Sequence, residues 1–228
     1  MTYFYRVFAY LGLMTLGASF IFGFRYAANA PAVNYLYNIA LYAAFIGIHL
    51  AMTMPGFKKA VYGKHAGTPA ERRVYIAVSV ATWLAVYFLH WPLPGFGFAA
   101  PFWMAYLGVC VVLIGIFMFF EFATIPVVDG LLGVPGAAMS HSVGKETPLM
   151  TEGSYASVRH PMYRGAVIYC FGSLLIHPNA AQLLFAIMVA ASFVLFIPFE
   201  EHQLLKARGS EYDAYMKKTP YRIFKGLW

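Results

Sequence analysis

Long apolar runs alternate with short polar breaks along the whole chain. The runs cover residues 7–24, 35–55, 74–91, 102–128, 161–176 and 180–199. A helix crosses a bilayer with about 17–25 apolar residues. The pattern therefore predicts an all-α, polytopic transmembrane helical bundle of about six membrane segments. Two runs depart from the common length. Residues 161–176 rise only ~24 Å at 1.5 Å per residue, short of a full crossing. Residues 102–128 are long enough to tilt or to extend past the lipid. The first run follows Arg6 and precedes Ala28-Asn29-Ala30, as a cleaved signal would. It outruns the usual signal core of about 7–15 residues and reads as a first span. No linker or low-complexity tract divides the chain, so a single integral-membrane domain is expected over residues 1–228.

The last two runs are joined only by His177-Pro178-Asn179. So short a turn forces the two helices to run antiparallel, with partners whose numbers sum to about 356 around Pro178. Arg159 and His160 then return to the level of Glu200 and Glu201. Pro161 suits the first helical position, where its missing N–H would have no partner anyway. A residue before proline avoids the helical region, so His160 should stand just outside the helix. The first-turn N–H groups and the positive dipole end make an anion site. Two glutamates facing it supply the opposite charge. The pair suits a zwitterionic ligand, although the same residues could form a salt-bridged base for the hairpin and nothing more.

Composition sharpens the class. The chain is 61% hydrophobic and only 11% charged, against roughly 25% charged in soluble domains. Its formal charge of +7 comes from basic residues in the breaks between apolar runs, which speaks for a bilayer and against nucleic acid. With the loop 56–73 in the cytoplasm, only Arg25 of the 16 Lys and Arg residues falls outside. That asymmetry predicts N-in and C-in, with the 159–161 and 200–201 cluster on the cytoplasmic side of an inner membrane. Cys110 and Cys170 both lie in apolar runs, and no metal-type spacing of Cys and His occurs. The tail from His202 to Lys218 reads as an amphipathic helix interrupted at Gly209.

Three blocks carry a resemblance. They are Gly153-x-Tyr155-x-x-Val158-Arg159-His160-Pro161-x-Tyr163-x-Gly165, then Glu200-Glu201-x-x-Leu204, then Gly209-x-x-Tyr212-x-x-Tyr215. In this order they look like the membrane methyltransferase superfamily, which includes isoprenylcysteine carboxyl methyltransferases, phospholipid N-methyltransferases and methanethiol S-methyltransferases. Upstream, Gly56-Phe57-Lys58, Glu71-Arg72-Arg73-x-Tyr75, Trp91-Pro92 and Asp129-x-Leu131-x-Gly133 are similar to the methanethiol branch. The resemblance implies S-adenosylmethionine as cofactor, bound by residues 149–218. It implies that Gly153 is one of the cofactor-binding residues, that the helix start at Pro161 with Arg159 and His160 holds the methionine carboxylate, that Glu200 and Glu201 take the amino group or ribose hydroxyls, and that Tyr155 and Tyr163 pack on the adenosine. His160 or Glu201 would act catalytically, as a base.

Two further polar residues ask for a reason. Glu121 and His49 sit six or seven residues from the cytoplasmic ends of their runs, at equal depth. An ionisable group there suggests function or a buried partner. They are expected either to pair or to line one substrate cavity. His141, in the loop 129–160, reads as an exposed loop histidine with a substrate-facing role as the alternative.

Two classes remain open. One is methyl transfer to a small thiol or another membrane-partitioning acceptor, a prenylcysteine carboxylate and a phospholipid amine being the alternatives. The other is a non-enzymatic transporter or accessory protein that uses Glu121 and His49 as an ion path.

Overall fold

A computed structural model describes residues 3, 5–7, 10, 11, 14, 17, 22–121, 129, 132, 134 and 149–228. His141 and the 122–128 end of the long fourth run lie outside the described residues. The elements are α1 (Val33–Thr53), α2 (Pro55–Tyr62), α3 (Pro69–Leu89), α4 (Phe102–Phe120), α5 (Pro161–Ile176), α6 (Ala180–Arg208) and α7 (Ser210–Lys218). Single 3-10 turns stand at Gly63–His65 and Gly153–Ala156. Of residues 3–24, Tyr3, Tyr5, Arg6, Val7, Tyr10, Leu11, Met14, Gly17 and Phe22 are described as helical, and Gly23 and Phe24 follow outside the helix. Among the described residues, α1, α3, α4 and α6 are long and apolar enough to cross a membrane, and α5 is a shorter apolar helix. The chain is an all-α integral membrane bundle.

The α5–α6 hairpin forms as the spacing demands. Asn179 caps α6, its side chain accepting from the Gln182 N–H at 2.9 Å. Tyr163 stacks on Phe193 at 4.5 Å, and Gln182 Nε2 donates to Ser173 Oγ at 2.8 Å. These partners hold the register expected for a bend at Pro178.

Most of the α5 packing, however, is against α4. Gly108 and Gly115 on α4 meet Gly172 and Gly165 on α5, backbone to backbone. A Cβ added at Gly165 would lie 2.6 Å from the Phe119 backbone nitrogen, so only glycine allows this approach. In lipid, where burial of apolar surface drives little, such close contact is what holds helices together.

One boundary differs from the apolar pattern. The predicted tail helix does not begin at His202. Residues 202–208 continue α6, and the chain turns at Gly209, whose φ of 57° favours glycine. The 20 apolar residues 180–199 span ~30 Å, about the hydrocarbon thickness. Glu200 and Glu201 thus stand just past the apolar span. The described part of α4 runs to Phe120 and is followed by Glu121.

At the end of the bundle away from Glu201, an aromatic core of Phe24, Tyr42, Trp83 and Phe185 is closed by loops. Asn38 Nδ2 donates to the Trp91 carbonyl at 2.8 Å, and the Trp91 N–H donates back to Asn38 Oδ1 at 3.0 Å.

Candidate active site

Pro161 does what its position predicts. It opens α5, and His160 before it adopts φ −126°, ψ 63°, outside the helical region. That bend turns both Arg159 and His160 inward toward α6. Their backbone N–H groups donate to the carbonyls of Tyr221 (2.9 Å) and Arg222 (2.8 Å), so the chain's last residues lie across the cap.

Glu201 is the centre of this arrangement. Arg159 Nε donates to its Oε1 at 2.6 Å, Arg222 Nε to its Oε2 at 2.9 Å, and His160 Nε2 lies 3.2 Å from Oε1. Arg159 also donates from a terminal nitrogen to the Thr219 carbonyl at 2.8 Å. Glu201, Arg159 and His160 are all buried. Burial by itself would raise the Glu201 pKa, but hydrogen bonds from His160, Arg159 and Arg222, with the Arg159 charge, bring it down to about 2. Both of its oxygens are committed to the protein. Glu201 therefore fixes the cap.

Glu200 differs in kind. Its side chain is 42% exposed, it accepts from the Tyr163 hydroxyl at 2.9 Å, and it lies 3.8 Å from His160 Nδ1. Tyr163 stacks parallel to His160 at 5.4 Å. Tyr155 rides on the 3-10 turn that Gly153 opens with φ 61°. Its carbonyl accepts from the Tyr215 hydroxyl at 2.8 Å. Burial pushes the Tyr155 phenol up to about 12, with the charge of Glu200 adding to the effect. Tyr212 and Tyr215 are likewise raised by burial and pack beneath the cap. All eight motif residues from Gly153 to Glu201 thus gather at one end of the bundle.

His49 and Glu121 do not meet. His49 Nδ1 lies 3.1 Å from the Phe45 carbonyl of its own helix, and its ring packs edge-on to Tyr75 at 5.5 Å. Glu121 accepts from the Ser154 hydroxyl. Each thus touches a neighbour of the cluster from a different side.

Sequence reasoning missed Arg222. It sits 21 residues beyond Glu201 in a tail without helical periodicity. The only local signal is Pro220, which follows the preceding helix, with Arg222 one of two cations among the aromatics that follow.

A family model described as phospholipid methyltransferase matches residues 103–210. Among characterised relatives, the Protein-S-isoprenylcysteine O-methyltransferase of Schizosaccharomyces pombe is 37% identical over 93 residues, 39% of this chain and 39% of that one. Form B of that enzyme from Arabidopsis thaliana is 39% identical over 74 residues, 32% of this chain and 37% of the relative. The Methanethiol S-methyltransferase 2 of Bradyrhizobium diazoefficiens is 26% identical over 200 residues, 82% of this chain and 72% of its own. The chain spans less than two fifths of the length of the isoprenylcysteine enzymes it matches. By these matches the chain is similar to membrane methyltransferases. More particularly, it matches the isoprenylcysteine type at higher identity over a short stretch and the methanethiol type at lower identity over most of its length.

Proposed function

We propose that this chain transfers a methyl group from S-adenosylmethionine to a small, methanethiol-like thiol. The site would face the cytoplasm, and residues 149–218 would form the cofactor-binding part. The observation that carries the reading is the unequal state of the twin glutamates. Glu201 neutralises the cap from inside, which leaves Glu200 half-exposed beside the start of α5. A carboxylate next to a helix N-terminus offers both signs of charge to one amino-acid group. The residues present fit a sulfonium amino acid in a second respect. Arg164 Nε, one turn into α5, is buried without a hydrogen-bond partner among the described residues.

When bound, the donor supplies a methyl already activated by its sulfonium, so no nucleophilic side chain is required. The protein's work is to orient and to exclude water. Glu200 takes the donor ammonium, the first turn of α5 the carboxylate, and Tyr155 and Tyr163 flank the adenosine. The acceptor sulfur's lone pair forms the new S–C bond as the donor S–C bond breaks. His160, held through Nε2 by Glu201, would take the thiol proton. The small-thiol acceptor is favoured over a prenylcysteine because the methanethiol enzymes align with most of the chain.

The test is transfer from methyl-labelled donor, with detergent-purified protein, to a small thiol, a prenylcysteine and a phospholipid in parallel. Label on the thiol is expected. A folded protein that neither binds donor nor labels any acceptor would overturn the reading and favour an ion path through His49.

A further inference from the structure

Between α1, α3 and α6 lies a cavity of about 30 Å³. Tyr42, Phe45 and Ile46 line it from α1, Trp83 from α3, and α6 contributes the face that runs from Phe185 through Val189 to Ser192. A single water needs about 10–15 Å³ of such space, so there is room for about two heavy atoms. Water itself fits poorly, because it needs roughly two to four polar partners. Ser192 Oγ already donates to the Val189 carbonyl at 2.6 Å. Tyr42 has a polar group to spare: the residue is 2% exposed, and its hydroxyl has no hydrogen-bond partner among the described residues. A buried hydroxyl without a partner is costly. The cavity therefore suits a ligand that offers one weak acceptor and is otherwise apolar.

The same cavity leads toward the cap by two packed routes. On α1, the Phe45 ring packs on His49 at 4.3 Å, and His49 on Tyr75 at 5.5 Å. On α6, Ser192 is followed by Phe193, which stacks on Tyr163 at 4.5 Å, and Tyr163 donates to Glu200 at 2.9 Å. Ser192 and Glu200 lie eight residues apart on α6, a rise of ~12 Å. We propose that this cavity binds the small apolar thiol acceptor on its way to the donor, with the Tyr42 hydroxyl donating to its sulfur. Sulfur is a weak acceptor, and a one-carbon thiol has no other polar group to strand. A prenyl chain or a phospholipid exceeds the space many times over. This inference rests on the donor reading above and adds the acceptor's side of the site.

Filling and enlarging the cavity test this in opposite directions. Val189→Phe, or Ser192→Leu should the first fail to fold, is expected to lower kcat/KM for methanethiol about tenfold through KM, the effect of losing the burial of two apolar atoms. Affinity for S-adenosylhomocysteine should stay within about twofold of the wild type. Ile46→Ala should raise kcat/KM for 1-butanethiol relative to methanethiol, because the space it opens takes a longer chain. Tyr42→Phe should raise KM for methanethiol about threefold and leave S-adenosylhomocysteine binding unchanged. Folded filling variants that keep methanethiol kcat/KM, or that lose S-adenosylhomocysteine affinity in step with it, would overturn the inference while wild-type transfer keeps the donor reading intact. Wild-type protein that methylates no small thiol would fail the acceptor reading, and this inference with it.

Discussion

The two ends of the bundle both bury polar groups, but by different means. At the Trp91 end the partners are neutral amides and carbonyls, with Asn38 and the Trp91 backbone exchanging two hydrogen bonds. At the Glu201 end they are full charges, one carboxylate against two guanidiniums and an imidazole. Neutral pairs suffice to tie a loop down. A buried charge set offers little net stability over an apolar core and is costly to break, so its presence at one end marks where the fold serves something besides stability.

The largest effect should follow from breaking the charged end. Glu201→Ala leaves two guanidiniums facing each other in a buried cap and should destabilise the protein by about 3–5 kcal/mol. Chemical or thermal unfolding in detergent would register it, and a loss under about 1 kcal/mol would contradict the assignment. Acid should act on the same residue. The folded-state pKa of Glu201 is depressed from 4.5 to about 2, so its stabilisation is fully present above about pH 4.5 and is lost as pH falls through about 2. The amount is on the order of 3 kcal/mol, and Glu201→Gln should flatten that part of the pH–stability curve.

The neutral end should give less. Asn38→Ala removes both hydrogen bonds to the part-buried Trp91 backbone and should cost about 1–3 kcal/mol, with no change in the acid limb and none in donor binding. A change in donor affinity would show that the two ends are coupled, which this account does not expect.

Much of this was legible in the sequence, for reasons that can be named. Three residues between two apolar runs leave only an antiparallel hairpin, so His160 had to meet Glu201. Proline at position 161 fixed where α5 starts. The glycines at 108, 115, 165 and 172 recur at a seven-residue spacing on each helix, but which helix faces which is a tertiary fact. Most consequentially, adjacent glutamates look alike as letters. Neighbours on a helix point about 100° apart, so one enters the cap and the other looks outward. Arg222, which decides which is which, lay in a tail whose pattern signals no element.

The twin glutamates therefore provide the most direct measurement: donor-product affinity and melting temperature determined together for Glu200→Gln and Glu201→Gln in the full chain. Glu200→Gln is expected to keep its melting temperature within about 2 °C and to lose about tenfold or more in S-adenosylhomocysteine affinity. Glu201→Gln is expected to melt well below the wild type. The reverse pattern, a stable Glu201→Gln without affinity beside a Glu200→Gln that binds normally, would contradict the division between an acid that holds the cap and an acid that meets the ligand.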